Sequence, residues 1–567
     1  MSRNRILVIG GYGVFGGLLS RRLAAHPDFD VMVGGRTLAK AEAHCRAYGG
    51  RPVVCDTSGD IAETIAALQP FVVIDAAGPF QNYGNDPYRV ARAAISANAH
   101  YLDLADDPGF VVGIGDLDRQ AREAGVTVLS GCSSVPAISS AAVDAMAHDI
   151  VDLDTIESLI SPGNRAPRGN SVIAAILAQV GRPLRVWRGG AWTEDVGWGR
   201  LERRAITTPD GRSLGRRWVS PIGAPDLLLF PQHYQARTVR FLAGLELSVM
   251  HVGLWASGWL VRFGVLRSLV PLSRTFRRMA DWLYRFGSDR GGMCVTVVGR
   301  DAAGRWLSRT WTLVAEAGDG PQIPATPAYL LVHRLCDGAV PTGARACIGE
   351  LALSDIETGL APFAITTGKN ECHIKPLFRT VLGDDFDALP APLRRLHDVG
   401  GTAAFTGRSE VVRGRSFVAR SLGWVFGFPP TASDVPVHVM MERIGDQERW
   451  TRTFGKASFR STFVRPAQAK PGDVIERFGC FAFQLKLSVA DGRMNFPVER
   501  ARVFGLIPLP KWLTPVSETS EHVGDDGRAW FDVAVSLPGV GPLVSYRGWL
   551  QPAPQSASAG VTTEHSR

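Results

Sequence analysis

Short apolar runs alternate with amphipathic stretches over the first 135 or so residues. The runs have the length of buried strands, and the stretches between them repeat their apolar residues at helical spacing. The runs lie at 6–9, 31–33, 53–54, 71–74, 101–104 and 126–129. Such alternation is typical of βαβ units, so it predicts a Rossmann-type, doubly wound parallel α/β sheet over residues 1–140.

The pattern changes after this unit. Strand-like runs at 155–160, 238–242, 294–298 and 306–315 surround longer helical stretches. Asp301 and Gly304 supply turn residues between the last two runs, which predicts a hairpin there. We therefore expect a mixed α+β second domain over residues 141–370.

The last third of the chain is dominated by short β-type segments separated by Gly, Pro and Asp-Gly turns. The clearest of them lie at 435–440, 481–489, 528–535 and 543–549. This texture predicts a C-terminal β-rich domain over 375–550, built as an antiparallel barrel or a strongly curved sheet. The small, polar residues of 551–567 predict a disordered tail.

Composition narrows the choice of partners. The 567 residues are 45% hydrophobic and carry a formal charge of +8, without a basic run or an aromatic-studded basic stripe. We therefore expect no nucleic-acid partner. The eight cysteines form no C-x-x-C pair, so neither a metal site nor a disulfide framework is predicted. With no secretory signal ahead of the first strand, a cytoplasmic location is expected.

A glycine-rich loop follows the first strand. It reads G-x-G-x-x-G, and its residues are Gly11, Tyr12, Gly13, Val14, Phe15 and Gly16. Between a strand and a helix, this spacing lets the backbone approach a pyrophosphate at the N-terminus of the helix. The loop predicts dinucleotide binding, with an empty Rossmann-like scaffold as the alternative.

The end of the second strand predicts which dinucleotide binds. NAD enzymes commonly place an acidic residue there to bind the ribose 2′-hydroxyl, whereas this chain has Arg36 and Thr37, with Lys40 a turn later. An arginine can pair with a 2′-phosphate that a carboxylate would repel. The cofactor is therefore predicted to be NADP, although Arg36 could also be a solvated helix-start residue.

Two polar residues near other strand ends are candidates for catalysis. The fourth strand is followed by small residues, Ala77, Gly78 and Pro79, which leave room for the cofactor at the carboxyl edge of the sheet. Tyr83 follows them, and Asp103 ends the fifth strand. Either could serve the nicotinamide or substrate, with a packed aromatic residue and a loop or helix cap as the respective alternatives.

These elements together resemble the saccharopine dehydrogenase-type NADP-binding family. The resemblance covers about residues 1–370 and extends to Tyr101-Leu102-Asp103, to 131–136 and to 318–321. It implies hydride transfer with NADP(H) and places Asp56 near the adenine; Asp56 could equally cap the next helix. The family commonly reads Asp-x-x-Gly-Glu after the fifth strand, where this chain has Asp103-Leu-Ala-Asp106-Asp107. The remainder resembles a β-rich domain of unknown function that follows such reductase units in bacteria.

The most apolar part of the chain, 247–270, is followed by Arg274, Arg277, Arg278 and Arg285. The apolar stretch approaches the ~20 residues that cross a bilayer but is interrupted by polar residues. A helical hairpin over 247–286 that lies on a membrane surface is one interpretation. A lid over a hydrophobic substrate or the face of a homodimer is the alternative.

These expectations combine into one functional prediction. We expect an NADP-dependent oxidoreductase that transfers hydride to or from a carbonyl, imine or conjugated alkene of a small, apolar or lipid-like substrate. The protein is expected to be cytoplasmic, with peripheral contact at the inner face of the membrane through 247–286. The alternatives are a non-catalytic, membrane-associated NADP-binding protein and a saccharopine-like amino-acid dehydrogenase.

Overall fold

A computed structural model describes residues 3–80, 83–167 and 169–554. The first 147 residues alternate strands and helices, as the hydrophobic pattern predicts. The strands are β1 (Asn4–Ile9), β2 (Phe29–Gly35), β3 (Arg51–Val54), β4 (Val72–Asp75), β5 (His100–Asp103) and β6 (Thr127–Ser130). The helices are α1 (Val14–Ala24), α2 (Leu38–Tyr48), α3 (Ile61–Leu68), α4 (Arg89–Ser96), α5 (Pro108–Gly113), α6 (Asp118–Glu123) and α7 (Ser139–Ala147).

The six strands form a parallel sheet in the order β3-β2-β1-β4-β5-β6. The order reverses between β1 and β4, which is the point where open α/β sheets bind ligands at the carboxyl ends of their strands. The Rossmann-type, doubly wound prediction is confirmed. Strands β1, β4, β5 and β6 are almost wholly buried because helices cover both faces of the sheet.

The second unit is a mixed sheet, as predicted, with strand order β10-β11-β12-β7-β13-β14-β16. Its strands, with a small separate hairpin β8-β9 and the strand β15, are β7 (Asp152–Ser161), β8 (Pro183–Arg188), β9 (Ala191–Val196), β10 (Glu202–Thr207), β11 (Ser213–Pro221), β12 (Thr238–Gly244), β13 (Gly291–Arg300), β14 (Trp306–Ala315), β15 (Gly343–Ala346) and β16 (Ile365–His373). The helices of this segment are α8 (Asn170–Gln179), α9 (Asp226–Tyr234), α10 (Ser248–Arg262), α11 (Ser273–Trp282), α12 (Gln322–Cys336) and α13 (Leu353–Leu360).

Two strands depart from the boundaries that the sequence suggests. β15 pairs in parallel with β6 and becomes the seventh strand of the first sheet. Its residues, Gly-Ala-Arg-Ala, show no strand pattern, so the predicted boundaries assign it to the second unit. β16 continues to His373, paired with β14 along its whole length, so the second sheet extends beyond residue 370.

The third unit is one antiparallel sheet of 13 strands with two short helices, α14 (Leu377–Leu382) and α15 (Ala391–His397), and a third, α16 (Phe417–Val425). Its strands are β17 (Thr402–Arg413), β18 (Ala432–Ile444), β19 (Gln447–Phe454), β20 (Ala457–Val464), β21 (Asp473–Phe478), β22 (Phe481–Lys486), β23 (Ser488–Ala490), β24 (Arg493–Asn495), β25 (Val498–Val503), β26 (Ile507–Pro508), β27 (Val516–Val523), β28 (Ala529–Leu537) and β29 (Gly541–Pro552). We call β17–β29 the C-terminal cup, because side chains from strands far apart in the sheet meet around one interior. The β-rich, strongly curved prediction is confirmed.

The first residues of the predicted tail, 551–567, are part of a strand. Gln551 and Pro552 belong to β29 and pair with β17. Residues 555–567 lie outside the described part of the chain.

Polar contacts fix one end of the cup to the second unit. The backbone N–H of Thr402 donates to Asp154 at 2.6 Å. Arg188 lies 3.5 Å from Glu442, at the edge of a buried network in which Arg240 pairs with Glu157 and Glu202. Separating the cup from the second unit would break into this buried network, which is costly because the remaining ions would lose their partners. The end of the cup at which β17 begins therefore faces the second unit.

Candidate active site

The glycine-rich loop is built for close backbone approach. Gly10 has φ of +74°, a conformation that favours glycine. A Cβ on Gly16 would lie 2.4 Å from the carbonyl oxygen of Gly10, and one on Gly13 would lie 3.0 Å from the same oxygen. Any side chain here would push α1 away from β1. The first-turn N–H groups of α1, from Val14 onward, therefore stay open toward the carboxyl edge of the sheet, where they can hold an anion.

The cationic residues predicted to select the cofactor lie beside this loop. Arg36, Thr37 and Lys40 are all exposed just past the end of β2. Gly35 lies against the ring of Tyr12, where a Cβ would meet the ring at 2.3 Å, and the Tyr12 hydroxyl accepts the N–H of Thr37 at 3.1 Å. Tyr12 thus connects the glycine loop to the residues that follow β2.

Asp56 lies at the end of β3, within the field of Arg36. It accepts the N–H of Ser58 at 3.0 Å and the Ser58 hydroxyl at 2.7 Å. These two hydrogen bonds and then the Arg36 charge lower the pKa of Asp56. The next helix is capped instead by Asp60, which accepts the N–H of Glu63, so the helix-cap alternative for Asp56 is wrong.

Tyr83 supports the loop after β4. Its hydroxyl donates to the buried carboxylate of Asp75, 3.0 and 2.9 Å from the two oxygens. Asp75 also accepts the N–H of Ala77 at 3.0 Å, which fixes the start of the Ala77-Gly78-Pro79 segment. Burial raises the pKa of Asp75 to about 6. The Tyr83 hydroxyl is therefore engaged behind the loop and does not line the cleft described below.

Asp103 is fully buried at the end of β5, with 0% of its surface exposed. One carboxylate oxygen accepts the N–H of Gly131 at 2.8 Å, the N–H of Ala105 at 3.0 Å and the Ser130 hydroxyl at 2.9 Å. Burial raises its pKa to about 7, although these hydrogen bonds favour the ionised form. Asp103 ties the end of β5 to the end of β6 and faces away from the cleft.

A cavity of about 370 Å³ opens between the first and second units, beside the glycine loop. Phe15 of that loop lines it, together with Leu104 after β5 and Ser133–Val135 after β6. The second unit contributes apolar side chains, among them Ile160, Ile173, Ile176, Leu177, Leu245 and Met293. No Arg, Lys or His is present among the described residues that line it. We call this cavity the cleft; it can take an apolar molecule next to the cofactor loop.

The cleft has few polar groups, and the sequence motifs predict a role for none of them. They are Asp106, Ser133, Ser134 and Asp289. Asp106 is accessible from the cleft, and the surrounding protein desolvates its carboxyl group and raises its pKa. The sequence signal that points to Asp106 is the departure from the family pattern at 103–107, where an acidic residue stands three positions after Asp103. In the fold, that spacing carries Asp106 past the buried strand end and onto the cleft wall.

The segment 247–286 folds as α10 and α11 with short turns between and after them. One side of this hairpin lines the cleft through Met250, Leu254, Phe276 and Met279. The other side exposes large apolar residues, including Phe263 at 73% and Trp282 at 67%. Leu254 is buried, so the apolar face of the segment is divided between the cleft and the surface.

Arginines surround this exposed apolar side. Six of them are exposed between residues 262 and 286, against one acidic residue, Asp281. The six are Arg262, Arg267, Arg274, Arg277, Arg278 and Arg285. None of the described helices is long and apolar enough to cross a membrane.

Comparison with known families defines the class of the N-terminal unit. Residues 6–129 match the saccharopine dehydrogenase NADP binding domain. The first domain is a saccharopine dehydrogenase-type NADP-binding domain, as the sequence resemblance indicated, and NADP is the cofactor of that family. Residues 389–550 match a domain of unknown function, DUF4166. The chain is thus an oxidoreductase-type NADP-binding fold joined to this C-terminal domain.

Individual relatives are more distant. A lipid droplet localized protein of Caenorhabditis elegans is 28% identical over 152 residues, which are 24% of this chain and 35% of that protein. The match therefore spans about a third of the length of that relative. Saccharopine dehydrogenase (L-Glu forming) from Saccharomyces cerevisiae aligns over 65% of this chain and all of its own, at 16% identity and a TM-score of 0.49. GenD2 from gentamicin A biosynthesis, solved with NAD, covers 66% of this chain and 97% of its own at 15% identity and a TM-score of 0.31.

Proposed function

We propose that this protein is an NADP-dependent oxidoreductase acting on a carbonyl, imine or conjugated alkene of an apolar, lipid-like molecule. The observation that carries the proposal is the cleft. It joins the cofactor loop at Phe15 to an apolar wall that belongs to the same two helices exposing apolar surface to solvent. An apolar substrate would gain most of its binding free energy from burial against these side chains.

The residues present fit the cofactor. Gly11, Gly13 and Gly16 leave the backbone open for the pyrophosphate at the start of α1. Arg36, Thr37 and Lys40 offer two cations and a hydroxyl to a 2′-phosphate. Asp56 and the small residues Ala77, Gly78 and Pro79 complete the predicted set. When bound, NADPH supplies the hydride.

Asp106 is our candidate for the proton donor. Reduction of a carbonyl or imine leaves negative charge on oxygen or nitrogen, which an acid must neutralise. Desolvation raises the pKa of Asp106, which is the direction that a proton donor needs, and its carboxyl group lines the cleft. Asp103 and Tyr83 then act as positioning residues, since they hold the loops on which Asp106 and Pro79 lie.

The apolar lining counts against a saccharopine-like substrate. Such a molecule carries several carboxylates, and buried carboxylates need cationic or hydrogen-bonding partners. The described lining offers two acidic groups and two hydroxyls. An amino-acid dehydrogenase is therefore disfavoured on electrostatic grounds.

We propose further that α10 and α11 deliver the substrate from a lipid surface, with the protein otherwise in the cytoplasm. Burial of exposed residues such as Phe263, Trp282 and Phe286 would contribute about 1.5–3 kcal/mol each if complete. The surrounding arginines would add attraction to anionic headgroups. The name of the Caenorhabditis elegans relative, which describes localisation to lipid droplets, agrees with a lipid surface.

Blocking the cleft tests the catalytic part. Met250→Trp adds a large side chain to the cleft wall, whereas Val249→Trp adds one to the exposed side of the same helix. With cell lipid extract in vesicles as the substrate source, we expect Met250→Trp to slow NADPH oxidation at least about tenfold and Val249→Trp to leave it unchanged. NADPH affinity, measured by calorimetry, should be equal in both variants. NADPH binding without any oxidation in the wild type would favour the non-catalytic alternative.

Flotation with liposomes tests the surface part. Wild type should float with anionic vesicles, less with neutral ones, and less as salt rises. Trp282→Glu/Phe286→Glu should abolish flotation while NADPH binding persists. If the wild type floats with neither vesicle type, the exposed helices have another use, such as a homodimer face, which sedimentation would then reveal.

A further inference from the structure

The C-terminal cup encloses a second apolar cavity, of about 590 Å³. Its lining comes from β18–β22, β25 and β27–β29, strands that lie far apart in the sheet order. Side chains alternate between the two faces of a strand, so every second residue faces inward. The inward residues are largely aromatic, among them Trp450, Phe454, Phe459, Phe463, Phe478 and Phe531. The interior is therefore a lined cavity of the size that small organic ligands occupy.

A small polar cluster interrupts this lining. Arg452 projects inward between Trp450 and Phe454 and lies 3.6 Å from Glu476. It also donates to the Ser461 hydroxyl at 2.7 Å and lies 4.7 Å from the centre of the Trp450 ring. The charge of Arg452 is thus already matched inside the protein. A ligand carboxylate would add a negative charge without a free cation to receive it, which is costly in an apolar interior.

Tyr546 lies beside this cluster. Its ring lies 5.1 Å from that of Phe454, and burial is the main cause that raises its pKa to about 12. Its side chain lines the cavity, and no hydrogen bond to its hydroxyl is found within the described residues. Burying a hydroxyl without a hydrogen-bond partner costs free energy, and a polar atom of a ligand would offset this cost by pairing with it.

Helices cover one end of the cavity. Helices α14 and α15 close the end near the second unit, where His397 contacts Glu521 and Phe378 stacks on Trp450. In an antiparallel sheet, alternate connections lie at the same end. The connections 414–431, 455–456, 479–480, 504–506 and 538–540 therefore lie at the opposite end. The start of β27 pairs with the end of β28, which brings 509–515 to the same end. We place the opening of the cavity at this end, which faces away from the first two units.

That open end carries an exposed apolar rim. Trp424 is 81% and Leu506 is 80% exposed, and the remaining members are Phe417, Val418, Phe504, Ile507, Trp512 and Val516. Neighbouring residues of the same connections, Leu422, Phe426, Leu509 and Leu513, continue the apolar surface into the cavity. Apolar surface of this extent at the mouth of an apolar cavity marks an entry route for an apolar ligand.

We infer that the C-terminal cup binds one amphipathic lipid molecule with a long apolar body and a neutral hydroxyl or carbonyl head. The body lies among the aromatic side chains, and the head pairs with the hydroxyl of Tyr546 beside the Arg452–Glu476 pair. The ligand enters through the apolar rim. This site is separate from the cleft, so the inference does not depend on the oxidoreductase proposal.

Binding of three matched probes to the full-length protein tests the inference. Radiolabelled hexadecan-1-ol, hexadecanoic acid and hexadecane differ only at the head. We expect saturable binding of hexadecan-1-ol at the cup, with hexadecanoate and hexadecane at least about fivefold weaker. Equal or tighter binding of hexadecanoate would overturn the neutral-head assignment.

Variants separate the cup from the cleft. Val533→Trp fills the cavity, whereas Ala534→Trp places the same side chain on the outer face of β28. We expect at least a tenfold loss of hexadecan-1-ol binding in Val533→Trp only. Tyr546→Phe, which keeps the ring, should weaken the alcohol about three- to tenfold and leave hexadecane unchanged. The cleft variant Met250→Trp should keep full cup binding. Loss of binding in Met250→Trp with retention in Val533→Trp and Tyr546→Phe would contradict the inference.

Discussion

The protein contains two apolar cavities whose polar groups differ. The cleft lies between two units, beside a glycine-rich loop, and its polar groups are carboxyls and hydroxyls. The cavity of the cup lies within one sheet, and the only cation among the described residues that line it is paired with a carboxylate beside a tyrosine. A carboxyl group with a raised pKa can give a proton to a reacting atom, whereas a matched ion pair holds its charge. This difference is why we propose chemistry in the cleft and ligand binding in the cup.

The two cavities also differ in their surroundings. Both open beside exposed apolar residues, but the α10–α11 surface carries six exposed arginines and forms part of the cleft wall. The rim of the cup belongs to helix α16 and to the connections at 504–516, and it faces away from the first two units. If both proposals hold, one chain binds an apolar molecule at two places, and variants confined to one cavity should leave the other intact.

Asp106→Asn should have the largest effect. Loss of a general acid typically lowers a rate by about 10²–10⁴-fold, and we expect kcat for lipid-dependent NADPH oxidation to fall within that range. Asp107→Asn is the matched control, because Asp107 caps α5 through the N–H of Phe110 and asparagine also caps helices well. A fall of less than threefold in Asp106→Asn would remove Asp106 from the mechanism.

Gly16→Ala should weaken NADPH binding about 100-fold or more while hexadecan-1-ol still binds the cup. The added Cβ would lie 2.4 Å from the Gly10 oxygen and force the loop and α1 apart. Gly115→Ala is the control, since its Cβ meets nothing within 4 Å. Calorimetry measures both affinities; normal NADPH affinity in a folded Gly16→Ala would show that the loop does not bind the cofactor.

Arg36→Asp should weaken NADPH by about 1.5–3 kcal/mol, which is roughly a 10- to 150-fold change, and leave NADH unchanged or tighter. The cause is the loss of a charge-assisted hydrogen bond to the 2′-phosphate. Arg46→Asp, on the exposed surface of α2, should change neither affinity. Equal affinities of the wild type for NADPH and NADH would contradict the assignment of Arg36.

The smallest effect concerns pH. The pKa of Asp103 is raised to about 7 in the folded protein by burial, whereas an unfolded aspartate titrates near its model value of 3.8. Between these values the folded state binds more protons than the unfolded state, so this group lowers stability progressively as pH rises from about 4 to 7. Asp103→Asn keeps an oxygen to accept the same hydrogen bonds and should flatten that part of the profile. The melting temperatures of the wild type and of Asp103→Asn, measured across this pH range, test the prediction. If the two profiles are the same, Asp103 does not titrate in this range.

The sequence predicted the first unit well because its signals are local. The G-x-G-x-x-G loop, the residues after β2 and the alternation of strands each lie within a few neighbouring positions. The cleft could not be predicted in this way, because Phe15, Asp106 and Met250 are brought together only by the packing of two units. Asp103 and Tyr83 have the residue types of catalysts, but both are buried, and their hydrogen bonds support the loops after β5 and β4.

The cup shows a different limit. Inward and outward residues alternate along each strand of the cup. Which set faces inward depends on how the 13 strands curve, and the sequence of one strand does not show this. No motif marks Arg452 or Tyr546. Strand β15 was missed for a similar reason, because its pairing with β6 comes from the path of the chain over α12.

Deuterium transfer from the cofactor shows whether the protein reduces an apolar substrate. The wild-type protein is incubated with vesicles of cell lipid extract and NADPH carrying deuterium at C4 of the nicotinamide, in separate samples for the two faces of the ring. Mass spectrometry then follows deuterium in the organic and aqueous fractions. We predict deuterium in an apolar product from one of the two labelled cofactors, and its absence when Met250→Trp replaces the wild type. Deuterium confined to water-soluble amino-acid products, or no transfer from either cofactor while NADPH binds, would contradict this prediction.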